Sequence, residues 1–83
     1  MRLVKPDAGG ESSIVRAPVN SSVIRSIGYD VNHAVLEVEF VSAQVYRYHF
    51  VPRRIWNELM QSESKGRYFD AHIREKFPTA RLP

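Results

Sequence analysis

The sequence contains no cysteine and no long hydrophobic run. Without cysteine there can be no disulfide, thiolate metal ligand or thiol nucleophile, so we expect a reducing compartment and a cytoplasmic location. No segment approaches the roughly 18 apolar residues that a membrane span requires, and the N-terminus lacks the apolar stretch of a signal peptide. We therefore expect neither membrane insertion nor secretion.

The chain is short, but it is not poor in core-forming residues. Its 83 residues are 43% hydrophobic and include one tryptophan, four tyrosines and four phenylalanines. Because each buried aromatic side chain removes about 150 to 250 Å² from water, this content is enough for one small core. The composition predicts a single folded domain and excludes a disordered chain.

The net charge of +3 is unevenly distributed. Through Phe50 five basic residues balance five acidic ones, whereas from Val51 onward seven basic residues face four acidic ones. A positive field of this kind can attract nucleic acid, but a modest surplus is also typical of proteins that use charge only for solubility. Both interpretations remain open from the charge alone.

The first eighteen residues mix glycine, proline and serine and follow neither helical nor strand periodicity. We predict a flexible N-terminal leader over residues 1–18 and one domain over residues 19–83. The alternative, an edge strand at Ile14-Val15-Arg16, is disfavoured by the flanking prolines and glycines.

Three segments predict strands, namely residues 21–29, 35–41 and 45–51. The first is rich in β-branched residues, but Ile24 and Ile27 have opposite parity, so Gly28 is expected to mark a bulge that switches faces. The other two alternate between apolar and polar residues, as half-buried strands do. We predict that they form a β-hairpin.

The hairpin register follows from requiring that cross-strand partners share a face. A three-residue loop, Ser42 to Gln44, satisfies both faces, whereas a two-residue loop would place Val38 opposite Arg47. The predicted pairs are Phe40 with Tyr46, Val38 with Tyr48, Leu36 with Phe50, Glu39 with Arg47 and Glu37 with His49.

Two helices are predicted after the hairpin. The first begins after Pro52, and its apolar stripe contains Ile55, Trp56, Leu59 and Met60. Gly66 is expected to end it in a left-handed cap, and the second helix, with Phe69, Ile73 and Phe77 on one face, is expected to end at Pro78. The fold class is therefore α+β, with a short antiparallel meander of about three strands followed by two α-helices packed on one face.

An ordered series of short motifs resembles a known family. It comprises Ser21-Ser22, Ile27-Gly28-Tyr29-Asp30, Leu36-Glu37-Val38, Tyr46-Arg47-Tyr48, Val51-Pro52, Ser64-Lys65-Gly66-Arg67-Tyr68-Phe69 and Ile73-Arg74. Together, over residues 19–78, these motifs resemble the KTSC domain, which occurs at the C-terminus of some lysyl-tRNA synthetases and as a free-standing bacterial protein.

The resemblance implies a small domain with a proposed role in RNA binding, and it makes Tyr46 and Tyr48 the family's hallmark residues. The segment Ser42-Ala43-Gln44 departs from the expected pattern, because a glycine would be expected in this turn.

No catalytic constellation is visible. The three histidines, His33, His49 and His72, fall in a turn, a strand and a helix without metal-ligand spacing, and there is no nucleophile elbow or phosphate-binding glycine loop. We predict no catalytic residue, no metal and no cofactor, and hence not an enzyme. An enzyme would need a ligand pocket lined by His49, Glu37 or His72.

Tyr46 and Tyr48 allow two interpretations. They could form a stacking platform for bases on the sheet. They also share a face with Leu36 and Val38, which is the only sheet face apolar enough to receive two amphipathic helices. Core packing is the favoured interpretation.

Nucleic acid, if bound, is expected to contact basic side chains through its phosphates. The candidates are Arg47, Arg53, Arg54, Lys65, Arg67 and Arg74. The alternative is a neutralised surface, because Arg67 follows Glu63 by four residues, Arg74 follows Asp70 by four, and Arg47 is predicted opposite Glu39.

The segment Lys65-Gly66-Arg67-Tyr68 could either offer backbone N–H groups to an anion or simply cap a helix. The predicted partner is RNA, with tRNA included, through a basic helical surface. The alternative is a protein–protein interaction module, and no membrane contact is expected.

Overall fold

A computed structural model describes residues 14–83, which form an antiparallel sheet and two helices. In chain order the elements are β1 (Ala17–Pro18), β2 (Ile24–Asp30), β3 (Val35–Phe40), β4 (Val45–Tyr48), α1 (Arg53–Gln61), α2 (Lys65–His72) and β5 (Thr79–Arg81). The strands lie in the order β1-β2-β3-β4-β5, so the sheet is a simple meander. The α+β class is confirmed, but the sheet has five strands where about three were predicted.

The two additional strands are short and lie at the edges. β1 pairs with β2 through Ala17 and Pro18, which we had assigned to the leader, and β5 pairs with β4 after Pro78. Proline is tolerated at an edge because its missing N–H removes no hydrogen bond from the sheet interior. Residues 1–13 lie outside the described part of the chain, so the boundary at residue 19 stays a prediction.

A bulge in β2 resolves the parity conflict of its isoleucines. Ile24 pairs with Phe40 and Ser26 pairs with Glu39, so Arg25 is the extra residue. The bulge therefore lies at Arg25 and not at Gly28. It lets both isoleucines face the core, where Ile24 is 0% and Ile27 is 2% exposed.

The hairpin register differs from the prediction by two residues. Leu36 pairs with Tyr48 and Val38 with Tyr46, because the loop lies one residue earlier and Ala43 donates its N–H to the carbonyl of Phe40 at 2.8 Å. A shift of two residues leaves every side chain on its predicted face, since the side-chain period is two.

The β4 strand ends before the predicted partner of Leu36. Phe50 has a φ of 63° and is 74% exposed, while the N–H of His49 donates to the carbonyl of Pro78 at 2.8 Å. The predicted pairs of Phe50 with Leu36 and of His49 with Glu37 were therefore wrong. A bulky residue in the left-handed region cannot continue a strand.

Both helices pack on the sheet face that carries the apolar residues. From α1, Ile55 and Leu59 are buried, while Trp56 stacks on Tyr29 with ring centroids 5.0 Å apart. The Tyr29 hydroxyl donates to the carbonyl of Val51 at 2.6 Å, which fixes the entry to the helix. No helix in residues 14–83 is long and apolar enough to cross a membrane.

The prediction that Gly66 caps α1 was wrong. Gly66 lies in the first turn of α2, where a Cβ would come within 2.7 Å of Val23 Cγ2, so close packing against the segment before β2 favours glycine. The preceding Ser64 is the N-cap and accepts from the N–H of Arg67 at 3.4 Å. The helix ends at His72, six residues before Pro78.

Ala43 has a φ of 76°, in the left-handed region that favours glycine. We expect Ala43→Gly to stabilise the protein by about 1 kcal/mol, because it relieves the strain of an L side chain at positive φ. Urea unfolding should show a higher midpoint at an unchanged slope.

The matched control is Ala71→Gly, an identical chemical change at an exposed position within α2. This variant should be less stable by about 0.5 to 1 kcal/mol, because glycine disfavours a helix interior. Destabilisation by both substitutions would contradict the proposed strain at Ala43.

Candidate functional site

The six predicted phosphate contacts fall into four places in the fold. Arg53 and Arg54 begin α1, Lys65 and Arg67 lie in the first turn of α2, Arg74 lies in the turn after α2, and Arg47 lies on the sheet face opposite the helices. The structure therefore brings five of them to the helical side of the sheet but does not gather them into one cluster.

The cations differ in how far they are neutralised. Arg54 lies 3.3 Å from Glu58, and Arg74 pairs with Asp70 at 3.0 Å as the sequence predicted. Arg53 and Arg67 are exposed, and within residues 14–83 neither has a carboxylate in ion-pair distance. The pair of Arg67 with Glu63 that the i,i+4 spacing predicted is not formed.

The first turn of α2 opens onto a cavity of about 500 Å³. Its lining includes Ser21 and Ser22 from the segment before β2, together with Lys65 and Arg67. The Lys65 ammonium donates to the carbonyl of Ser62 at 3.2 Å, so its charge is held beside the cavity. Ser64, and not Gly66, supplies the helix cap here, and anion binding at this helix start stays a prediction.

Sequence reasoning missed a polar network between the helices. The Tyr68 hydroxyl donates to Glu58 Oε1 at 2.6 Å, and Arg54 Nη1 donates to Glu58 Oε2 at 3.3 Å. The hydrogen bond from Tyr68, aided by Arg54, lowers the pKa of Glu58, while burial and the Glu58 carboxylate raise the pKa of Tyr68 to about 12. Ten residues separate this tyrosine from its partner, so no local spacing could have revealed the contact.

On the other face of the sheet, Glu37 is fully buried. It accepts a hydrogen bond from Arg16 Nη1 and another from Arg47 Nε at 2.8 Å. Arg47 is therefore paired with Glu37, whereas the predicted partner was Glu39. This candidate phosphate contact is engaged inside the fold.

Gly28 creates the room for this ion pair. It is the cross-strand partner of Glu37, and a Cβ on it would lie 2.6 Å from the carbonyl oxygen of Val15. The chain before β1 can thus cross the sheet at Gly28 and bring Arg16 over Glu37. A side chain at this position would push the segment away.

The two hallmark tyrosines point toward the helices. Tyr48 is 5% exposed and Tyr46 is half-buried. Tyr48 packs edge-to-face on Phe69 at 5.3 Å, and Tyr46 packs on Phe40 at 5.8 Å in the same manner. The rings belong to the core, so they do not form an open stacking platform on the sheet surface.

The histidines lie apart from one another. His33 Nδ1 is 2.8 Å from Asp30 Oδ2, and this hydrogen bond lowers the pKa of Asp30. His72 packs on Tyr68 at the helices, on the opposite side of the sheet from Glu37. Within residues 14–83 no three His, Asp or Glu side chains are placed to hold a metal ion.

Comparison with known proteins identifies relatives along most of the chain. The family model of the KTSC domain matches residues 20–77. An uncharacterized protein of Stutzerimonas stutzeri is 44% identical over 55 residues, which are 66% of this chain and 78% of that protein. A crystal structure of a KTSC domain protein from Yersinia pestis has 41% identity and a TM-score of 0.83, and the match covers 86% of this chain and all of that one.

A larger protein carries a similar segment. The lysine–tRNA ligase of Nostoc punctiforme is 36% identical over 61 residues, which are 74% of this chain but only 11% of the ligase. The similarity is therefore confined to a small part of that enzyme.

The buried ion pair yields a test of stability. We expect Glu37→Gln to cost about 3 kcal/mol, because it removes the charge that two arginines share in a buried setting. The control is Glu39→Gln on the same strand and face, where the carboxylate is 20% exposed and lies 3.9 Å from Arg25, and its cost should stay below about 1 kcal/mol. Equal losses in urea midpoint would refute the special role of Glu37.

The network at Glu58 yields a pH prediction. Because the folded pKa of Glu58 lies below its usual 4.5, its contribution to stability is present above that value and is lost as the pH falls through the folded pKa. We expect Tyr68→Phe to raise the pKa of Glu58 in an NMR titration of its carboxyl carbon. Tyr29→Phe, which removes a hydroxyl bonded to backbone, should leave this titration unchanged.

Proposed function

This chain belongs to the KTSC domain family, and we propose that it binds RNA, with tRNA as the first candidate, through phosphate contacts on its helical side. The proposed role is binding without a catalytic step, and the proposed location is the cytoplasm. The residues proposed to contact phosphates are Arg53, Arg54, Lys65, Arg67 and Arg74.

The observation that carries the proposal is the distribution of cations that lack a carboxylate partner. On the far face, Arg16 and Arg47 are both engaged with Glu37, and Arg25 lies 3.9 Å from Glu39. On the helical side, Arg53 and Arg67 extend from the first turns of the two helices. Exposed cations at helix starts suit phosphate, because the unpaired backbone N–H groups add to the positive potential there.

The spacing of these cations also suits an extended polyanion. The nine residues of α1 span about 13 Å at a rise of about 1.5 Å per residue, and α2 follows after a short connection. Contacts distributed along such a length read the backbone of the RNA and not its sequence. We therefore propose recognition by shape and charge.

The relatives support RNA as the polymer. A lysine–tRNA ligase, whose name states that it acts on tRNA, contains a segment similar to this chain. A small domain attached to such an enzyme can raise the local concentration of its RNA without taking part in the chemistry. We propose the same binding role for the present chain.

Salt dependence tests the proposal. We expect fluorescence anisotropy with labelled tRNA and with a short single-stranded RNA to show affinity that falls steeply between 50 and 200 mM salt, because bound cations release counterions. Arg53→Gln and Arg67→Gln should each weaken binding severalfold and reduce the logarithmic salt slope by about 0.7 for single-stranded RNA.

Arg25→Gln is the matched control, because Arg25 is an exposed arginine beside Glu39 on the far face of the sheet. It should leave both the affinity and the slope unchanged. If all three variants weaken binding equally, the affinity depends on the net charge of the protein and not on a specific surface. If neither RNA binds, the alternative of a protein-interaction module gains weight, with the exposed Phe50 as the first contact to examine.

A further inference from the structure

A second cavity lies between the β3–β4 hairpin and the turn that follows α2. Its volume is about 350 Å³, and four aromatic side chains line it, namely Phe40, Tyr46, Tyr48 and Phe69. We call it the tyrosine pocket. Small-molecule sites in proteins range from about 300 to 1,000 Å³, so this one can hold a single small group and not a run of bases.

The Tyr48 hydroxyl is the unusual feature of the tyrosine pocket. Tyr29 donates to Val51 and Tyr68 donates to Glu58, each at 2.6 Å, while the half-buried Tyr46 has no hydroxyl partner within residues 14–83. Tyr48 is 5% exposed, yet its hydroxyl has no hydrogen-bond partner within residues 14–83. Buried hydroxyls are nearly always paired, so one that is not calls for a water molecule or a ligand group.

Tyr48 lines the cavity, and the groups whose charges act on its hydroxyl line it as well. Burial raises the pKa of Tyr48 to about 12, with Tyr46 adding to the rise and the Arg74 guanidinium opposing it. Both of these neighbours line the same cavity. A group that enters the cavity would therefore lie close to the Tyr48 side chain.

The rim of the tyrosine pocket is polar and carries both signs of charge. Gln44 and Glu75 offer acceptors, and Arg74 offers a cation. The Arg74 side chain is 59% exposed, pairs with Asp70 at 3.0 Å and lies 5.9 Å from the centroid of the Phe69 ring. An exposed ion pair of this kind is weak, so Arg74 can exchange its carboxylate for a phosphate at small cost.

These features together select the ligand. The half-buried rings of Phe40 and Tyr46 favour a planar group, the Tyr48 hydroxyl favours a polar edge on that group, and Arg74 favours an anionic substituent. A nucleobase that carries a phosphate has all three properties. RNA-binding proteins recognise unstacked bases in the same way, by aromatic contact and by hydrogen bonds to the base edge.

We propose that the tyrosine pocket binds one unpaired nucleotide, with the edge of the base bonded to the Tyr48 hydroxyl and the phosphate on Arg74. This inference deepens the proposed RNA-binding function and rests on it. The nucleotide is either one residue of an RNA strand or a free mononucleotide, and the two sources share the same chemistry.

The test is an NMR titration of the isotope-labelled protein with the four nucleoside 5′-monophosphates and, separately, with a short single-stranded RNA. We expect shifts in the aromatic signals of Tyr48 and Phe69 and in the amides of Gln44 and Glu75. Tyr48→Phe removes only the hydroxyl, and it should weaken binding about five- to tenfold, the value of one hydrogen bond to a ligand.

Tyr29→Phe is the matched control, because the same atom is removed from a hydroxyl that already has a partner. It should lower the thermal midpoint and leave ligand affinity unchanged. Tyr48→Phe should instead weaken ligand binding, and its thermal midpoint should be no lower than that of the original protein. A lower midpoint for Tyr48→Phe would show that its hydroxyl has a structural partner, and it would overturn the proposal.

Arg74→Gln separates the phosphate from the base. It should weaken binding of the monophosphates severalfold and have no effect on the corresponding nucleosides. If nucleosides and nucleotides bind equally to the original protein, the proposed role of Arg74 is wrong.

The two possible sources give different results. If RNA shifts the NMR signals of the tyrosine pocket and the monophosphates do not, the pocket binds a nucleotide within an RNA strand. If the monophosphates saturate the pocket and RNA does not bind, the pocket proposal holds but the RNA-binding function is overturned. Shifts at Arg53 and Arg67 that fade with salt, with no change at Tyr48 or Phe69, overturn the pocket and leave the phosphate surface intact. No shift with any ligand overturns both proposals.

Discussion

The sheet depends on the neutralisation of one buried carboxylate. Glu37 lies in the central strand with no exposed surface, and an isolated charge in such a place would be too costly to keep. Arg47 reaches it from β4, and Arg16 reaches it from the chain before β1. Because Gly28 leaves room for that chain to cross the sheet, the ion pair fastens the first edge strand as well as the centre of the sheet.

This arrangement separates the charges of the molecule by face. On the far face, Arg16 and Arg47 pair with Glu37, and the exposed Arg25 lies 3.9 Å from Glu39. There the Ser26 hydroxyl accepts from Arg16 Nε at 3.1 Å and donates to Glu39 Oε1 at 2.8 Å. The helical side, by contrast, leaves Arg53 and Arg67 without carboxylates among the described residues. The net surplus of three positive charges is therefore concentrated on the helical side. The total charge of a small protein understates its attraction for a polyanion when its ion pairs are concentrated on another face.

Local sequence patterns predicted the features that follow from side-chain periodicity. They failed to predict the features that depend on contacts between residues far apart in the chain. The alternation in β3 and β4 assigned each side chain to its correct face, but the register slipped by two because Ala43 holds a conformation that normally marks a glycine. The two- and three-residue edge strands are too short to show a period. Gly66 illustrates this limit. The sequence suggested a helix cap, but glycine is favoured there because the Val23 methyl group, 43 residues earlier in the chain, packs against it.

The candidate site shows the same limit. Composition located the cations in the helical half, but only tertiary structure distinguishes Arg47, which pairs with the buried Glu37, from Arg67, which has no carboxylate partner within residues 14–83. The register argument assigned Tyr48 to the core, and its ring is indeed in the core. A ring and its hydroxyl can have different roles, however, because the aromatic face supplies apolar packing while the oxygen requires a polar partner. In a domain this small, a core tyrosine that lines a cavity can serve the fold and a ligand at once.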